Sequence, residues 1–274
     1  MSLIQIDENK CQKDGLCVAE CPAFIIGQQS KESLPEMVAG GDAMCLECGH
    51  CVAVCPHGAL NHQKVPLEDS PPMKKENSIS QPQAVQFLRS RRSIRHFKSK
   101  TPDKEVIQEL IETARYAPTG GNVQTVSWTV FTDREDVKKI AELTVDWMRS
   151  ALENPAQKQM ASYFPLMVAA WDGGLDVILR NAPVLVVASV PGETLNGMAD
   201  ISISLSYLEL AAVSMGLGTC WAGLGQYALL ESKPLQEFIG LPDSHQNHYP
   251  MMLGYPKYRF HRLPERKAPR IFWR

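Results

Sequence analysis

The sequence predicts an α+β protein built in two parts. The first 65 residues contain two runs of closely spaced cysteines, whereas residues 81–274 alternate between helical and strand patterns in which helices dominate. The intervening residues 66–80 are rich in proline, charged and small polar side chains, and they offer almost nothing to bury. We therefore expect an N-terminal domain over 1–65, a linker over 66–80 and a second domain over 81–274.

The clearest motif is a run of four cysteines that ends in proline: Cys45, Cys48, Cys51 and Cys55. This spacing is typical of iron–sulfur proteins, in which three thiolates hold one cluster and the fourth holds another. A zinc site usually offers separated pairs of ligands, and disulfides need an oxidising compartment. The run therefore predicts iron–sulfur binding, and Cys55 implies a second cluster.

An internal repeat supplies the second cluster's ligands. Residues 17–22 read Cys-Val-Ala-Glu-Cys-Pro and residues 51–56 read Cys-Val-Ala-Val-Cys-Pro. Alignment of the two halves assigns one cluster to Cys21, Cys45, Cys48 and Cys51. It assigns the other to Cys11, Cys17 and Cys55, with Asp14 at the position of the fourth thiolate. Asp14 is either an iron ligand or an ordinary turn residue before Gly15.

A carboxylate is a harder ligand than a thiolate and holds iron less tightly. We therefore expect one robust 4Fe-4S cluster and a second cluster that is either 3Fe-4S or a labile 4Fe-4S. The pattern resembles the bacterial two-cluster ferredoxins, including members with an aspartate at this place. The resemblance covers about residues 1–63.

Composition argues against a nucleic-acid-binding protein and against a membrane-spanning protein. The net charge is −2, which gives no general reason to bind nucleic acid, and no apolar run approaches the length of a membrane span. Seven of the eight cysteines lie in the two runs, so we expect a cytoplasmic protein. Positive charge is nevertheless concentrated in residues 89–100 and 255–274.

Periodicity places the elements of both domains. In the first domain we expect short strands at 3–6 and 59–62. In the second domain we expect four helices: one at about 84–91, one that starts at Thr101-Pro102-Asp103 and runs to Ala114, one at 135–152 and one at 198–215. Strands are expected at 127–132, at 183–190, after the turn at 216–223, and at 248–254. Residues 153–180 give no clear pattern. The helix at 198–215 is so apolar that it is central to its own core or buried against a partner.

Two basic clusters far apart in the sequence are suited to a common anion. Arg91, Arg92, Ser93 and Arg95 offer guanidinium groups and a hydroxyl, and Arg262 could complete a phosphate clamp. Charge alone favours a solvated basic face over a phosphate site.

The order of four motifs resembles the nitroreductase family of FMN enzymes. The motifs are Arg-Arg-Ser-Ile-Arg-His-Phe at 91–97, Ala-Pro-Thr-Gly-Gly-Asn-Val-Gln at 117–124, Gly-Leu-Gly-Thr-Cys-Trp-Ala-Gly at 216–223, and Gly-Tyr-Pro-Lys at 254–257 with Arg-Leu-Pro at 262–264. The resemblance spans about residues 81–274. It departs at one place, where Thr125-Val126 follows Gln124 and family members often have Pro-Trp.

The resemblance implies a set of FMN-binding residues. Arg91 and Arg262 would hold the phosphate, Ser93 and the backbone at Arg92 the phosphate and ribityl end, and Arg95 the pyrimidine edge. Asn122 would hydrogen-bond the pyrimidine ring, and Gln124 lies in the same motif. Backbone amides around Ala222, Gly223 and Leu224 would reach flavin O4 and N5, the atom that exchanges hydride. No side chain is expected to act as a catalytic group, because the chemistry would take place at flavin N5.

Two functions follow from these cofactors. The first is an FMN oxidoreductase, homodimeric as the family resemblance implies, that couples the clusters to two-electron reduction of a nitroaromatic, quinone or similar acceptor. The alternative is an electron carrier that relays electrons between a redox partner and FMN without a small substrate of its own. The donor is NAD(P)H, bound transiently because Gly216-Leu-Gly218 lacks a third glycine, or a reduced ferredoxin-type protein. A cluster-based redox sensor would need a nucleic-acid or signalling surface that the sequence does not show.

Overall fold

The computed structural model describes residues 2–153 and 162–274. The chain divides into two compact units, one of Met1–Ile79 with Gly121–Val123, and one of Ser80–Gly120 with Gln124–Arg274. Each unit contains both helices and strands, so the predicted α+β class is confirmed. No helix in the described part of the chain is long and apolar enough to cross a membrane.

The first unit contains two small antiparallel ribbons and two short helices. Its elements are β1 (Ile4–Ile6), α1 (Leu16–Ala19), β2 (Ile26–Gly27), β3 (Glu36–Met37), α2 (His50–Val54) and β4 (Leu60–His62). Strand β1 pairs with β4, and β2 pairs with β3. The predicted strands at 3–6 and 59–62 are β1 and β4, whereas β2 and β3 are two residues each and too short to leave a periodic pattern.

The sequence repeat is also a repeat of backbone conformation. Gly15 and Gly49 both have φ near +70° and begin α1 and α2, and Lys13 and Glu47 also share a positive φ. Both pairs lie 34 residues apart. Since φ in this region is unfavourable for residues other than glycine, its occurrence at matched positions indicates that both cysteine loops are bent in the same way.

The second unit is built on one four-stranded antiparallel sheet. Its elements are α3 (Gln81–Ser90), α4 (Lys104–Ala114), β5 (Ser127–Phe131), α5 (Arg134–Glu153), α6 (Phe164–Asp172), β6 (Val184–Val190), α7 (Gly197–Ser214), β7 (Gly218–Trp221), α8 (Gly223–Glu231), α9 (Lys233–Ile239) and β8 (Asn247–Gly254). The strand order is β5-β6-β8-β7.

Strand β6 divides the core of this unit. All seven of its residues are buried, and alternate side chains point to opposite faces of the sheet. Leu185 and Val187 join a cluster with α5, α6, α8 and α9. Val184 and Val186 join a second cluster with α4 and α7. The sheet is therefore covered by helices on both sides, and the apolar helix predicted at 198–215 is α7, half of which serves the unit's own core.

Some sequence predictions need correction. Helix α4 begins at Lys104 with Asp103 as its N-cap, so Thr101 is not the cap and Pro102 precedes the helix. The strand expected after the turn at 216–223 lies within that range as β7, and it is followed by α8 and α9, which were not predicted. In the unassigned stretch 153–180 the structure contains α6; residues 154–161 of that stretch lie outside the described residues.

Candidate functional site

One cavity of the first unit is lined by four cysteines. The cysteines are Cys21, Cys45, Cys48 and Cys51. These are the four residues that the repeat alignment grouped together. Burial raises the pKa of the Cys51 thiol to about 11. Because metal-bound sulfur must be thiolate, assembly of a cluster here has to expel protons.

A second cavity is lined by the other three cysteines of the runs, Cys11, Cys17 and Cys55, with Asp14 and His57. Burial also raises the pKa of the Cys17 thiol. One oxygen of Asp14 accepts the Leu16 amide at 3.2 Å, and the other lies 3.9 Å from His57 Nε2. Asp14 therefore makes the contact of a turn residue and also borders the cavity, so both interpretations of this residue stay open.

The donor atoms suit a cluster better than a single ion. Among residues 2–153 and 162–274, no three His, Cys, Asp or Glu side chains converge closely enough to hold one metal ion. The cysteines instead line two cavities. A polynuclear iron–sulfur group fills such a space and keeps its ligands apart, whereas zinc draws four ligands to about 2.3 Å from one point.

His62 is a buried side chain beside the first cavity that the sequence analysis did not identify. Its Nε2 lies 3.5 Å from Cys45 Sγ, and burial lowers its pKa below the ordinary value, against a smaller opposing effect from Glu47. A signal was present in the sequence. A polar residue at an inward-facing position of an alternating strand must find a buried partner.

In the second unit, three of the four sequence motifs meet along the residues that follow α3. The Ile94 amide donates to the Thr219 carbonyl at 2.8 Å, which places 91–95 beside β7. The Lys98 amide donates to the Tyr255 carbonyl at 2.8 Å, and the Lys257 amide to the His96 carbonyl at 2.9 Å. The motifs at 91–97, 216–223 and 254–257 are therefore neighbours.

Gly218 permits this close approach. A Cβ atom at position 218 would lie 2.3 Å from Ile94 Cγ1, well inside van der Waals contact. The space beside Gly218 is therefore occupied by the Ile94 side chain. Glycine, which has no side chain, is the residue that allows a neighbouring group to approach the backbone this closely.

The first arginines of the cluster are only partly solvated. Arg91 Nη1 lies 3.1 Å from Glu209 Oε1, and three quarters of the Arg91 side chain is buried. Arg92 Nη1 contacts the Arg91 carbonyl at 3.5 Å, while its Nη2 is buried and has no hydrogen-bond partner within the described residues. A buried guanidinium nitrogen without an acceptor is an energetic cost that a bound anion would remove.

Glu209 connects this arginine to the sheet. It is almost fully buried on α7, and besides Arg91 it accepts hydrogen bonds from Thr219 Oγ1 at 3.1 Å and from Trp221 Nε1 at 3.5 Å. The sequence analysis missed this residue. Its signal was its position in an otherwise apolar helix, since a buried carboxylate requires partners.

The amides at the start of α8 differ in whether they already have an acceptor. Ala222 donates its amide to the Pro250 carbonyl at 3.0 Å, so this amide is not free to contact a flavin. The amides of Gly223 and Leu224 lie in the first turn of α8, where N–H groups have no acceptor within the helix. Of the three predicted amide donors, these two remain suited to a flavin oxygen or nitrogen.

The motif at 117–124 forms a strained turn. The Gly120 amide donates to Asp200 Oδ1 at 3.0 Å, and Asn122 and Gln124 have positive φ angles of 57° and 51°. Asn122 groups with the first unit, where its side-chain amide donates to the carbonyls of Leu46 and Glu47. Residues held at positive φ cluster at functional sites. The assignment of Asn122 and Gln124 to FMN stays a prediction.

Cys220 lies between charged groups but is not a reactive thiol. Burial raises its pKa, against smaller effects of Arg95, Arg180 and a hydrogen bond from Ser93. Arg180, which the sequence analysis missed in its unassigned stretch, therefore contributes positive charge near Cys220. It has a positive φ of 59°.

Arg262 lies in the exposed segment after β8. No hydrogen bond or ion pair within the described residues joins it to Arg91 or Ser93. Its assignment to the FMN phosphate therefore has no support from a contact in a single chain.

Comparison with known proteins identifies the family. Residues 88–255 match the family model described as Nitroreductase family. The chain belongs to the nitroreductase family. Residues 3–56 match the model of the 4Fe-4S dicluster domain, so this nitroreductase carries an N-terminal domain of the ferredoxin type. The predicted recognition and the predicted class of oxidoreductase are confirmed.

Individual relatives of this nitroreductase are distant. A Cr(VI) reductase from Pseudomonas sp. (strain G-1) is 28% identical over 176 residues, which are 64% of this chain and 67% of that protein. A nitroreductase with bound FMN from Bacteroides fragilis has a TM-score of 0.57 at 17% identity, over 69% of this chain and 98% of that one. An iodotyrosine deiodinase bound to FMN and 3-iodo-L-tyrosine has a TM-score of 0.52 at 16% identity, over 69% and 97%. The structural matches show the shared fold alone.

Proposed function

We propose that this nitroreductase binds FMN in its second unit and two iron–sulfur clusters in its first, and that it passes electrons between them to reduce a small acceptor. The acceptor is a nitroaromatic, a quinone or a similar molecule. A quinone takes up two electrons and two protons to become a hydroquinone. The donor is NAD(P)H or a reduced ferredoxin-type protein.

The observation that carries the FMN proposal is the alignment of the arginine segment with β7. Residues 91–95 lie beside the strand that leads directly into α8. One end of this arrangement offers the buried, unpaired Nη2 of Arg92, and the other offers the first-turn amides of Gly223 and Leu224. A phosphate suits the guanidinium group, and a flavin oxygen or N5 suits the amides at a helix N-terminus.

When bound, FMN supplies hydride and single-electron transfer, and the chain's own groups position it. Arg92 would bind the phosphate, with Arg91 held in place by Glu209. Arg95, whose side chain is exposed, would approach the pyrimidine edge, where a cation stabilises added negative charge. Gly223 and Leu224 would donate to the ring from α8.

For the clusters, we propose the two ligand sets that line the two cavities. Cys21, Cys45, Cys48 and Cys51 would hold a 4Fe-4S cluster. Cys11, Cys17 and Cys55 would hold the other, with Asp14 as the fourth ligand of a 4Fe-4S cluster or as the neighbour of a 3Fe-4S cluster. The cavity linings support this division.

We also propose a homodimer. Helix α3 has no buried residue, although its Val85 and Leu88 are apolar and are each about half exposed. On α7, Met198, Ile203 and Tyr207 are partly exposed on a helix that carries few charges. Apolar side chains of this kind favour burial against a second copy. Sedimentation of the full chain should give a dimer, and a flavin-loaded monomer would contradict this assembly.

The FMN proposal is tested by FMN retention. Arg92→Ala and Arg262→Ala should each weaken FMN binding about ten- to a hundredfold, because a charge-assisted contact to phosphate contributes about 1.5 to 3 kcal/mol. Arg266→Ala, in the same exposed segment as Arg262, is the matched control and should bind normally. Wild-type affinity in Arg262→Ala would remove this residue from the site.

Steady-state turnover distinguishes the enzyme from an electron carrier. The full-length protein with both cofactors should reduce menadione or nitrofurazone at the expense of NADH or dithionite-reduced ferredoxin. An electron carrier without a substrate of its own would exchange electrons with the ferredoxin and show no such turnover.

A further inference from the structure

His62 makes contacts that determine which of its nitrogens carries the proton. Its Nδ1 faces two backbone N–H donors, those of Lys64 at 3.1 Å and Val65 at 3.2 Å. A nitrogen that accepts hydrogen bonds carries no proton, so in the neutral ring the proton is on Nε2. Nε2 is the atom that lies 3.5 Å from Cys45 Sγ. His62 is therefore oriented as a donor to this sulfur.

The matching position in the other half of the repeat makes no such contact. Gln28 lies 34 residues before His62, in the same relation to Cys11 as His62 has to Cys45. Its side-chain amide donates to the carbonyls of Lys13 at 3.2 Å and Ser33 at 2.8 Å. The side-chain donor to cysteine sulfur is therefore present in one half of the repeat and replaced in the other.

We propose that His62 is a positioning residue that raises the reduction potential of the cluster held by Cys21, Cys45, Cys48 and Cys51. The inference rests on the proposed binding of this cluster. One-electron reduction adds negative charge to the iron–sulfur group and its thiolates, and a hydrogen-bond donor at the sulfur stabilises the more negative state. The electron comes from the external reductant, and no proton moves because His62 keeps its own.

Two substitutions separate the roles of the two ring nitrogens. His62→Asn retains an acceptor near the Nδ1 position and removes the donor to Cys45. His62→Gln retains a donor near the Nε2 position. His50, an exposed histidine that also lines this cavity, gives the matched control His50→Gln.

The test is a dithionite titration of the full-length protein after anaerobic cluster reconstitution, followed by electron paramagnetic resonance. His62→Asn should lower the equilibrium constant for reduction of this cluster three- to tenfold, which is about 30 to 60 mV for one electron. His62→Gln should stay closer to the wild type, and His50→Gln should match it. The cluster of Cys11, Cys17 and Cys55 in the same molecule should not shift.

Several results would overturn the proposal. One is a wild-type potential in His62→Asn, and another is an equal shift of both clusters, which would indicate general loosening of the unit. If His62→Asn does not fold, ¹⁵N spectra of histidine-labelled wild-type protein decide, since a proton on Nδ1 would contradict the donor role. A wild-type protein that reconstitutes no 4Fe-4S cluster would instead overturn the cluster proposal on which this one rests.

Discussion

Glu209→Gln is the substitution by which the arrangement around the arginine segment can be tested most directly. The change removes one negative charge and adds two N–H donors at nearly constant volume. Glu209 now accepts from Arg91, Thr219 and Trp221, at 3.1, 3.1 and 3.5 Å. A glutamine oxygen can still accept from two of these donors, but its NH₂ group must then face the indole N–H.

The magnitude follows from these contacts. A hydrogen bond to a charged group contributes about 1.5 to 3 kcal/mol, and a buried guanidinium without its partner costs more when it cannot reach water. The Arg91 side chain is 25% exposed and can reach water in part. We therefore expect Glu209→Gln to lower the free energy of unfolding by about 1.5 to 3 kcal/mol, or about 3 to 12 °C in Tm for a unit of this size.

The assay is thermal unfolding of the FMN-free full chain, followed by tryptophan fluorescence. All five tryptophans lie after residue 80, so the signal reports the second unit. Glu142→Gln is the matched control, because Glu142 pairs with Lys139 on the surface and should change stability by less than about 1 kcal/mol. Equal stabilities of Glu209→Gln and this control, or additivity of Glu209→Gln with Arg91→Met, would refute the proposed coupling.

Three further predictions concern other positions. Gly218→Ala should destabilise the second unit by about 1 to 3 kcal/mol, because the added Cβ would overlap with Ile94. Gly225→Ala is the control and should not destabilise it, because a Cβ at position 225 makes only ordinary van der Waals contacts. Equal effects of the two substitutions would contradict the close approach of Ile94 to Gly218. Asp14→Cys should abolish a 3Fe-4S electron paramagnetic resonance signal in air-exposed protein and yield two 4Fe-4S clusters after anaerobic reconstitution. If the wild-type protein instead has two 4Fe-4S clusters that survive ferricyanide, Asp14 is only a turn residue. Burial lowers the pKa of His248 below 6.5, so the unfolded chain binds the proton more readily than the folded chain does. The stability that is present above about pH 6.5 is therefore lost as the pH falls. In the fluorescence assay His248→Gln should flatten this dependence of stability on pH, and an unchanged dependence would exclude His248 as its source.

Regular patterns in the sequence predicted most of the fold. Strand β6 is a continuous apolar run and helix α5 has a long periodic stretch, and the structure places both within one or two residues of the predicted bounds. Elements without such a stretch were missed. Strands β2 and β3 are two residues each, and α8 follows β7 with only Ala222 between them, so the helical pattern was obscured by the preceding glycine-rich turn.

The candidate site divides in a similar way. Residues that form a motif with fixed spacing, such as the cysteines and residues 91–95, can be recognised from the sequence alone. Glu209 and His62 cannot, because each acts on a residue that is distant in sequence, at 118 and 17 positions. What the sequence does show for each is an ionisable side chain at a buried position, which predicts a partner without identifying it.

The duplicated halves of the first unit suggest how two clusters in one small unit become different. Their backbones bend alike at Gly15 and Gly49, so we expect side chains beside the cavities to contribute to a difference in potential. The halves differ at two positions beside the cavities. Asp14 stands where the other half has a cysteine, and His62 adds a hydrogen-bond donor to a cysteine sulfur in the second half. Asp14→Cys combined with His62→Asn gives both halves a cysteine at the matched position and removes the donor from the second half. In the redox titration this double variant should bring the two cluster potentials closer together than either single variant does. An unchanged separation would show that the difference arises from solvent exposure or from charges outside the repeat.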